Sequence, residues 1–280
     1  DTYRANHTGT HLDTRDIREV TADDILNDIG MRPGELDLFE GSPPCASFSM
    51  AGKREKYWGE TKRYSDVEQR TDDLFYEYAR LVRGLQPRTF VAENVAGLVQ
   101  GSAKGYFKAI LRELRSCGYR VEAKVLDAKL MGVPQTRNRV IFYGVRDDLA
   151  ADPVWPKPLP YSYSMGDVLP NVEQVWAKTD FDRRPDDRDY ICRIPLAKSA
   201  GAVMASAGVF GTASYGVIHR DLVSEEDASP SIPSVANAWH RLNPHRPDTP
   251  VQKFSISELK LLQSFPADMV LHGDYYHQAE

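Results

Sequence analysis

Apolar residues recur at helical spacing in the longest amphipathic stretch of the chain. Between residues 71 and 85 they stand three or four positions apart, with acidic residues at the start and with Gly84 and Pro87 near the end. This period places them on one helical face, and acidic residues suit the first turn of a helix. We predict an amphipathic helix here, whose apolar positions are Leu74, Phe75, Tyr78, Leu81, Val82 and Leu85.

Short apolar segments alternate with helical patterns through the first 150 residues. The segments predicted as strands are residues 35–40, 88–92, 119–126 and 139–145. A further helix is predicted around 107–114, ended by Gly118, and Thr21 with Asp24 forms a capping box that begins a short one. Strands that alternate with helices of this length indicate βαβ units. We therefore predict an α/β fold with a doubly wound, mostly parallel sheet.

The pattern changes after Asp152. Residues 152–160 contain four prolines, and the stretch that follows has short apolar runs, many turn formers and no long helical period. We predict a second, smaller domain of irregular or β structure at 151–250. At Ser255 a capping box begins another helix, so we predict that 251–280 return to the first domain, which spans 1–150.

Composition and charge narrow the function classes. A chain of 280 residues with 41% hydrophobic content can bury a core. The formal charge of −5 argues against a protein that coats nucleic acid indiscriminately, although it allows a localised basic cleft. The sequence has neither an apolar stretch of about eighteen residues nor an apolar signal segment, so we expect a soluble, cytoplasmic protein. The three widely spaced cysteines are expected to be free thiols rather than metal ligands.

Three strand ends carry residues whose side chains can take part in a reaction. Cys45 directly follows the first strand, Glu93 stands at the end of the second, and Arg137 and Arg139 lie two residues apart at the entry of the last. Open α/β sheets bind their ligands at the carboxyl ends of strands. A single cysteine is more often a small buried apolar residue than a nucleophile, and paired arginines often form surface ion pairs. The combination, rather than any one residue, predicts a functional site.

The chain also contains Pro-Cys at 44–45, Glu-Asn-Val at 93–95 and Gln-x-Arg-x-Arg at 135–139. In this order they resemble the motifs of DNA (cytosine-5)-methyltransferases of the restriction-modification type. Asp16-Ile17, the helix that contains Leu74, and residues 262–266 extend the resemblance. It covers most of 1–150 and 251–270, and it implies the Rossmann-like fold of S-adenosylmethionine-dependent methyltransferases. Residues 151–250 match only in position, where the family has its target-recognition domain.

The resemblance implies a covalent mechanism. Cys45 would add to carbon 6 of a flipped-out cytosine, which makes carbon 5 nucleophilic toward the methyl group of S-adenosylmethionine. Because the thiolate is the reactive form, the site should lower the pKa of Cys45 or deprotonate it during attack. Glu93 would donate a proton to the ring nitrogen and hold the exocyclic amine. Arg137 and Arg139 would reach the carbonyl oxygen of the base and the neighbouring backbone or Glu93.

Binding residues are implied in the same way. The residues expected to contact the methyl donor are Asp16, Ile17, Pro44 and Leu74. The basic and aromatic segment after Cys45 has the composition of a mobile loop that contacts phosphates, although a solvated charged loop is the alternative. The expected DNA contacts are Ser49, Lys53, Arg54 and Gln135. The implied partner is double-stranded DNA without a membrane, bound by a monomer, and the resemblance allows a cognate restriction endonuclease that acts on the same site without direct binding.

Two motifs of the family are not found within residues 1–280. They are the glycine-rich loop of the donor site and the last motif, so we expect these residues to be a fragment, with a split enzyme as the alternative. Ala46 stands where the family has glutamine.

Two other functions remain open: a transfer-RNA cytosine-5 methyltransferase and a non-catalytic DNA-binding module. The size of 151–250 favours DNA as the substrate, and the presence of Cys45, Glu93, Arg137 and Arg139 together favours an enzyme.

Overall fold

The computed structural model describes residues 1–44, 62–64, 67–69, 74–178, 191–194, 215–219 and 255–272. Side chains are described in all of these except 62–64, 67–69, 173–178, 191–194, 215–219 and Ser102. Four predicted site residues, Cys45, Ser49, Lys53 and Arg54, lie outside this part of the chain. Most of 151–250 does too, so the predicted domain boundaries stay predictions.

The chain forms two compact units. One consists of Asp1–His11, Ala128–Arg137 and Pro158–Glu280, and the other of Leu12–Asp127 and Asn138–Lys157. None of the helices in the described ranges has both the length and the apolar content needed to cross a bilayer.

The helices and strands follow the predicted order. The helices are α1 (Thr2–Asn6), α2 (Ala22–Ile29), α3 (Leu74–Leu85), α4 (Lys104–Ser116), α5 (Met165–Val168) and α6 (Ile256–Leu262). The strands are β1 (Leu38–Gly41), β2 (Lys62–Tyr64), β3 (Val67–Gln69), β4 (Thr89–Val95), β5 (Tyr119–Asp127), β6 (Asn138–Arg146), β7 (Val172–Lys178), β8 (Ile191–Ile194) and β9 (Tyr215–His219). The four strands predicted before residue 150 are confirmed, as are the helices predicted around 71–85 and 107–114 and after Thr21 and Ser255.

The unit built from Leu12–Asp127 and Asn138–Lys157 contains a four-stranded sheet in the order β1-β4-β6-β5. β1 pairs parallel with β4, whereas β6 runs antiparallel to both β4 and β5. The α/β class is therefore confirmed, and the sheet is mixed where a mostly parallel one was predicted. The short connection between β5 and β6 explains the difference, because a parallel pair needs a crossover of about a dozen residues or more.

One face of this sheet holds the core. Phe90 and Ala92 of β4 and Phe142 of β6 are fully buried, and α3 and α4 pack against them. Each large side chain buried in this way contributes about 1.5–3 kcal/mol of apolar transfer free energy. Leu26 of α2 packs with Leu81 and Leu85 of α3 in a neighbouring cluster. Cys117 is a buried free thiol in this core, as predicted.

Tyr78 of α3 holds the end of β1. The single proton of its hydroxyl is shared between the carbonyl oxygens of Val91 at 3.0 Å and Phe39 at 3.3 Å. Burial raises the pKa of the Tyr78 phenol far above its ordinary value, so the group is a neutral donor. A Cβ atom at Gly41 would lie 2.7 Å from Cε2 of this ring. Glycine at this position therefore lets the ring lie against the last residue of the strand, just before the segment that leads to Cys45.

The other unit contains a three-stranded antiparallel sheet in the order β8-β7-β9. Its first helix binds the C-terminal segment, because Asn6 Nδ2 donates to the carbonyl oxygen of Val270 at 2.6 Å and the Val270 N–H donates to Asn6 Oδ1 at 2.7 Å. The N–H of His272 donates to Thr2 Oγ1 at 3.1 Å. One asparagine side chain thus pairs with the backbone as a neighbouring strand would.

Gly144→Ala should destabilise the sheet. Gly144 lies opposite Phe90 in the β4–β6 register, and a Cβ atom there would lie 2.7 Å from Cδ1 of that ring and closer still to other ring atoms. Overpacking of this kind costs about 1–3 kcal/mol. Urea unfolding measures the free energy of unfolding. The matched control is Gly105→Ala in α4, where nothing lies within 4 Å of the new Cβ and the change should stabilise by about 0.4–1 kcal/mol. Equal unfolding midpoints for the two variants would contradict the packing argument.

Candidate functional site

The candidate site lies where β1 and β4 end. The two strands are parallel and in register, with Gly41 opposite Ala92. Carboxyl ends of parallel strands meet at one edge of the sheet, so the residues at these ends come together there. On one side these are the two prolines that precede Cys45, and on the other they are Glu93, Asn94 and Val95, the last residues of β4.

Asn94 joins the two strand ends. Its side chain is buried, its Nδ2 donates to the carbonyl oxygen of Pro43 at 3.0 Å, and its Oδ1 accepts from the Val95 N–H at 2.8 Å. The buried amide thus has a partner at both of its polar atoms. The bond fixes the backbone two residues before Cys45.

Glu93 points to the opposite face of β4, where it forms an ion pair with Arg139. The contact joins Glu93 Oε1 and Arg139 Nε, and the two side chains are 34% and 25% exposed. Arg139 lies opposite Val95 in the register, so it is the diagonal neighbour of Glu93 across the two strands. A partly exposed pair contributes at most about 1 kcal/mol to stability. Its main effect is therefore to fix the orientation of the carboxylate.

Arg137 and Gln135 belong to the other unit. The carbonyl oxygen of Arg137 accepts from the Ala128 N–H at 3.0 Å. Gln135 is only 1% exposed, and its Oε1 has no hydrogen-bond partner in the described part of the chain. A buried acceptor without a partner costs about 1–3 kcal/mol. The roles expected of Arg137 in base binding and of Gln135 in DNA contact stay predictions, and the burial of Gln135 means that such a contact requires it to become accessible.

The segment around Asp16 and Ile17, which is expected to bind the methyl donor, is a turn on the surface of the unit that contains the four-stranded sheet. The Arg18 N–H donates to Asp16 Oδ1 at 3.0 Å, and this bond lowers the pKa of the Asp16 carboxyl. Ile17 is 40% exposed, which leaves an apolar side chain open beside a carboxylate. Leu74 is buried at the start of α3, and Pro44 is exposed.

The site thus consists of a carboxylate held by a guanidinium, next to a backbone segment fixed by a buried amide. This arrangement can bind and orient a polar ring and can stabilise charge on it. Throughout the described ranges, no three His, Cys, Asp or Glu side chains come close enough together to hold a metal ion.

Residues 1–279 match the family described as C-5 cytosine-specific DNA methylase. The chain belongs to this family. The resemblance on which the site was predicted is therefore confirmed at the level of the family.

Two curated relatives of this methylase chain come from bacteria. It is 35% identical to the Type II methyltransferase M.NgoPII of Neisseria gonorrhoeae over 156 residues, which cover 56% of this chain and 41% of that protein. It is also 35% identical to the Type II methyltransferase M1.HphI of Haemophilus parahaemolyticus over 170 residues, which cover 60% of this chain and 42% of the relative. The aligned region spans less than half the length of these relatives.

Two solved structures share the fold of this chain. A crystal structure of DNMT2 from Spodoptera frugiperda superposes with a TM-score of 0.59 at 16% identity, covering 99% of this chain and 83% of that one. The Dnmt2 methyltransferase of S. pombe gives a TM-score of 0.58 at 16% identity, and the match covers 99% of this chain and 81% of that one. At this identity the likeness concerns the fold alone.

Sequence reasoning assigned no role to Asn94 of this methylase chain, although a signal was present. Phe90, Ala92 and Asn94 alternate along β4 and are all buried, so an amide stands where the period of two predicts a core residue. A buried amide must be hydrogen-bonded, and this requirement predicts a partner nearby.

Asn94→Asp should destabilise the methylase domain. The substitution keeps an acceptor for the Val95 N–H and removes the donor to Pro43, so a carboxylate faces a carbonyl oxygen. We expect a loss of about 1–3 kcal/mol in the free energy of unfolding at neutral pH. Burial raises the pKa of the new carboxyl, and its protonated form can donate again, so the loss should shrink as the pH falls toward that pKa.

Urea unfolding, repeated from neutral pH down toward the pKa of the new carboxyl, measures the loss in the free energy of unfolding. Asn27→Asp in α2 is the matched control, because Asn27 is exposed and surface changes stay within about 0.5 kcal/mol. A loss that is the same in both variants would show that the Asn94 bond does not hold the strand ends.

Proposed function

We propose that the protein transfers a methyl group from S-adenosylmethionine to carbon 5 of a cytosine in a specific sequence of duplex DNA. The observation that carries the proposal is the hydrogen bond from Asn94 to the carbonyl oxygen of Pro43, which holds the backbone before Cys45 at the strand end that bears Glu93. Membership in the cytosine-specific methylase family supports it.

Cys45 is the proposed nucleophile. Its thiolate forms a bond to carbon 6 of the cytosine, and the electron pair of the ring double bond moves to carbon 5, which is otherwise too weak a nucleophile to accept a methyl group. Once carbon 5 carries the methyl group, a water molecule takes its proton, and the electron pair of that bond restores the ring double bond and expels the thiolate from carbon 6. Glu93 takes back the proton that it gave to the ring nitrogen. The role of the Asn94–Pro43 bond is to limit where this thiol can lie.

Glu93 is proposed to bind the ring that Cys45 attacks. Its carboxylate takes up a proton from solvent when the base binds, hydrogen-bonds the ring nitrogen and the exocyclic amine, and passes that proton to the ring nitrogen as charge develops on the ring. Arg139 orients the carboxyl group through the contact of its Nε with Glu93 Oε1. Arg137 is proposed to contact the carbonyl oxygen of the base.

The turn at residues 16–20 is the proposed binding site for the adenine of the methyl donor. The exposed apolar side chain of Ile17 can lie against the ring, and the carboxylate of Asp16 can accept from an exocyclic amine. Pro44 and Leu74 complete the proposed contacts. When bound, the donor supplies an electrophilic methyl group on a sulfonium ion.

The reacting atoms of a cytosine are stacked inside a duplex, so the base must be flipped out at a cost of a few kcal/mol. Ser49, Lys53, Arg54 and Gln135 are the proposed DNA contacts, and 151–250 is the proposed target-recognition domain between two catalytic segments, 1–150 and 251–280. We propose that the enzyme acts as a monomer in the cytoplasm of a bacterial or phage-infected cell. A restriction endonuclease acting on the same site is its proposed functional partner.

Methylation of cellular DNA tests the proposed function. Bisulfite sequencing of a host that produces the full-length protein should reveal one methylated cytosine context that the empty host lacks. Methyl incorporation into duplex DNA and into transfer RNA should favour the duplex. An unmodified genome, despite folded protein in the cell, would refute the proposal.

The Cys45 nucleophile predicts a stable covalent complex with a modified substrate. DNA with 5-fluorocytosine at the target cannot lose its carbon-5 substituent, so the sulfur bond cannot be released. In the presence of the donor, the active full-length protein should migrate with this DNA in a denaturing gel.

Cys45→Ser and Cys117→Ser distinguish the two thiols in the trapping experiment. Cys45→Ser should abolish the complex, and Cys117→Ser should retain it because Cys117 is buried in the core. An active enzyme that forms no complex would exclude the covalent mechanism.

Glu93→Gln should impair the chemical step more than DNA binding. The glutamine keeps the shape of the side chain but cannot donate the proton that the charged ring requires, and interactions that strengthen in the transition state act on the rate. We expect a large loss in the single-turnover rate and duplex affinity that changes only a few-fold. Rapid quenching and filter binding measure the two quantities.

Glu122→Gln serves as the control, because Glu122 is an exposed residue of β5 that plays no part in the proposed chemistry. Turnover of Glu93→Gln at the rate of this control would remove Glu93 from the mechanism.

A further inference from the structure

Arg80 of α3 holds the turn at residues 16–20 by two backbone carbonyl groups. Its Nη2 donates to the carbonyl oxygens of Ile17 and Val20, both at 2.9 Å. Its Nε pairs with Glu77 Oε2 at 2.7 Å on the same helix. One guanidinium, oriented by a carboxylate one turn away, therefore bridges a helix to a segment about sixty positions earlier in the chain.

Besides Arg80, hydrogen bonds within the turn hold its shape, among them the bond from the Arg18 N–H to Asp16 Oδ1. The turn lies between α1 and α2 and contains neither helix nor strand. The Glu19 N–H donates to the Asp16 carbonyl oxygen at 2.9 Å, and the Val20 N–H donates to that of Ile17 at 3.3 Å. Val20 is buried, whereas Asp16, Ile17 and Glu19 are exposed. Apart from Val20, apolar packing therefore contributes little to its position.

Two carbonyl bonds to one rigid group define an orientation as well as a place. The guanidinium is planar and presents its donors in a fixed fork, so the peptide groups after Ile17 and Val20 are held at set angles. The direction of the Asp16 and Ile17 side chains follows from those peptide groups. The helix that carries Arg80 begins with Leu74, so both proposed sides of the adenine site depend on one element.

We infer that Arg80 is a positioning residue of the methyl-donor site. It does not contact the donor, but it sets the geometry of the turn that presents Asp16 and Ile17. This inference rests on the proposed function, because it assumes that the turn at 16–20 binds the adenine.

The test uses the full-length protein with Arg80→Ala and Arg80→Lys. Lysine can reach one carbonyl group as a point charge but cannot reproduce the fork. The matched control is Arg83→Ala, because Arg83 lies on the same helix and binds Glu113 and Ser116 of α4 instead, at 2.7 and 3.1 Å. Urea unfolding verifies that each variant is folded.

Two measurements separate positioning from stability. Calorimetry with S-adenosylhomocysteine should show a loss of affinity on the order of tenfold for Arg80→Ala, a smaller loss for Arg80→Lys and none for Arg83→Ala. In steady state the KM for the donor should rise while the KM for DNA and the kcat at saturating donor change little. Without any donor, amide hydrogen exchange in a peptide covering residues 12–26 should accelerate in Arg80→Ala only.

The outcomes decide between the alternatives. Accelerated exchange with unchanged donor affinity in Arg80→Ala would overturn the inference and leave the methyltransferase function standing. Equal losses in Arg80→Ala and Arg83→Ala, together with a lower urea midpoint in both, would assign the effect to general stability and also overturn it. If the unmodified protein bound no donor at all, the proposed function would fail, and the inference would fail with it.

Discussion

The hydrogen bond from Asn94 to the carbonyl oxygen of Pro43 is the constraint on which the candidate site depends. A buried amide that loses its partner costs about 1–3 kcal/mol, so the structure strongly favours the arrangement in which the end of β4 and the segment after β1 stay joined. The parallel register of β1 with β4 brings the two chain segments to the same edge, and Tyr78 reinforces the pairing by donating to a carbonyl oxygen of each strand. Everything proposed for Cys45 follows from this local order, because the nucleophile comes two residues after the anchored carbonyl.

The alternation of side chains along β4 divides structural from chemical tasks. Asn94 faces the core together with Phe90 and Ala92, whereas Glu93 faces the other side, where Arg139 reaches it from β6. Two adjacent polar residues therefore have opposite roles: one satisfies the backbone and the other remains partly exposed and available for a ligand. An insertion or deletion of one residue in β4 would exchange the two faces, so the motif depends on strict register as well as on residue type.

Much of the α/β unit could be predicted from sequence because its signals are periodic. The helical spacing of Leu74 to Leu85 and the capping boxes at Thr21 and Ser255 are local, and the structure has helices at each place. The direction of β6 could not be read in the same way, because an apolar strand has the same period whether its neighbours are parallel or antiparallel; only the short connection after β5 indicated a hairpin. The family resemblance left open whether the arginines contact the neighbouring backbone or Glu93, and the structure has Arg139 in contact with Glu93. The contact of Arg80 with the turn at 16–20 has no local signal at all, since its partners are backbone carbonyl groups far away in the chain.

Helix α3 connects the two halves of the proposed chemistry. Tyr78 faces the sheet and fixes the strand ends that lead to Cys45 and Glu93, while Arg80, two positions later, fixes the turn that carries Asp16 and Ile17. Because a helix with a well-packed apolar face moves as a rigid body, its position determines the distance between the strand ends proposed to bind the base and the turn proposed to bind the donor. Methyl transfer requires its two reactants to be held within about 3–3.5 Å of each other, and small displacements of either one slow such reactions strongly. Substitutions at buried positions of α3 should therefore change the rate of methyl transfer even though these residues touch neither reactant. Their effect would come from α3 itself, because this helix contacts both the strand ends and the turn.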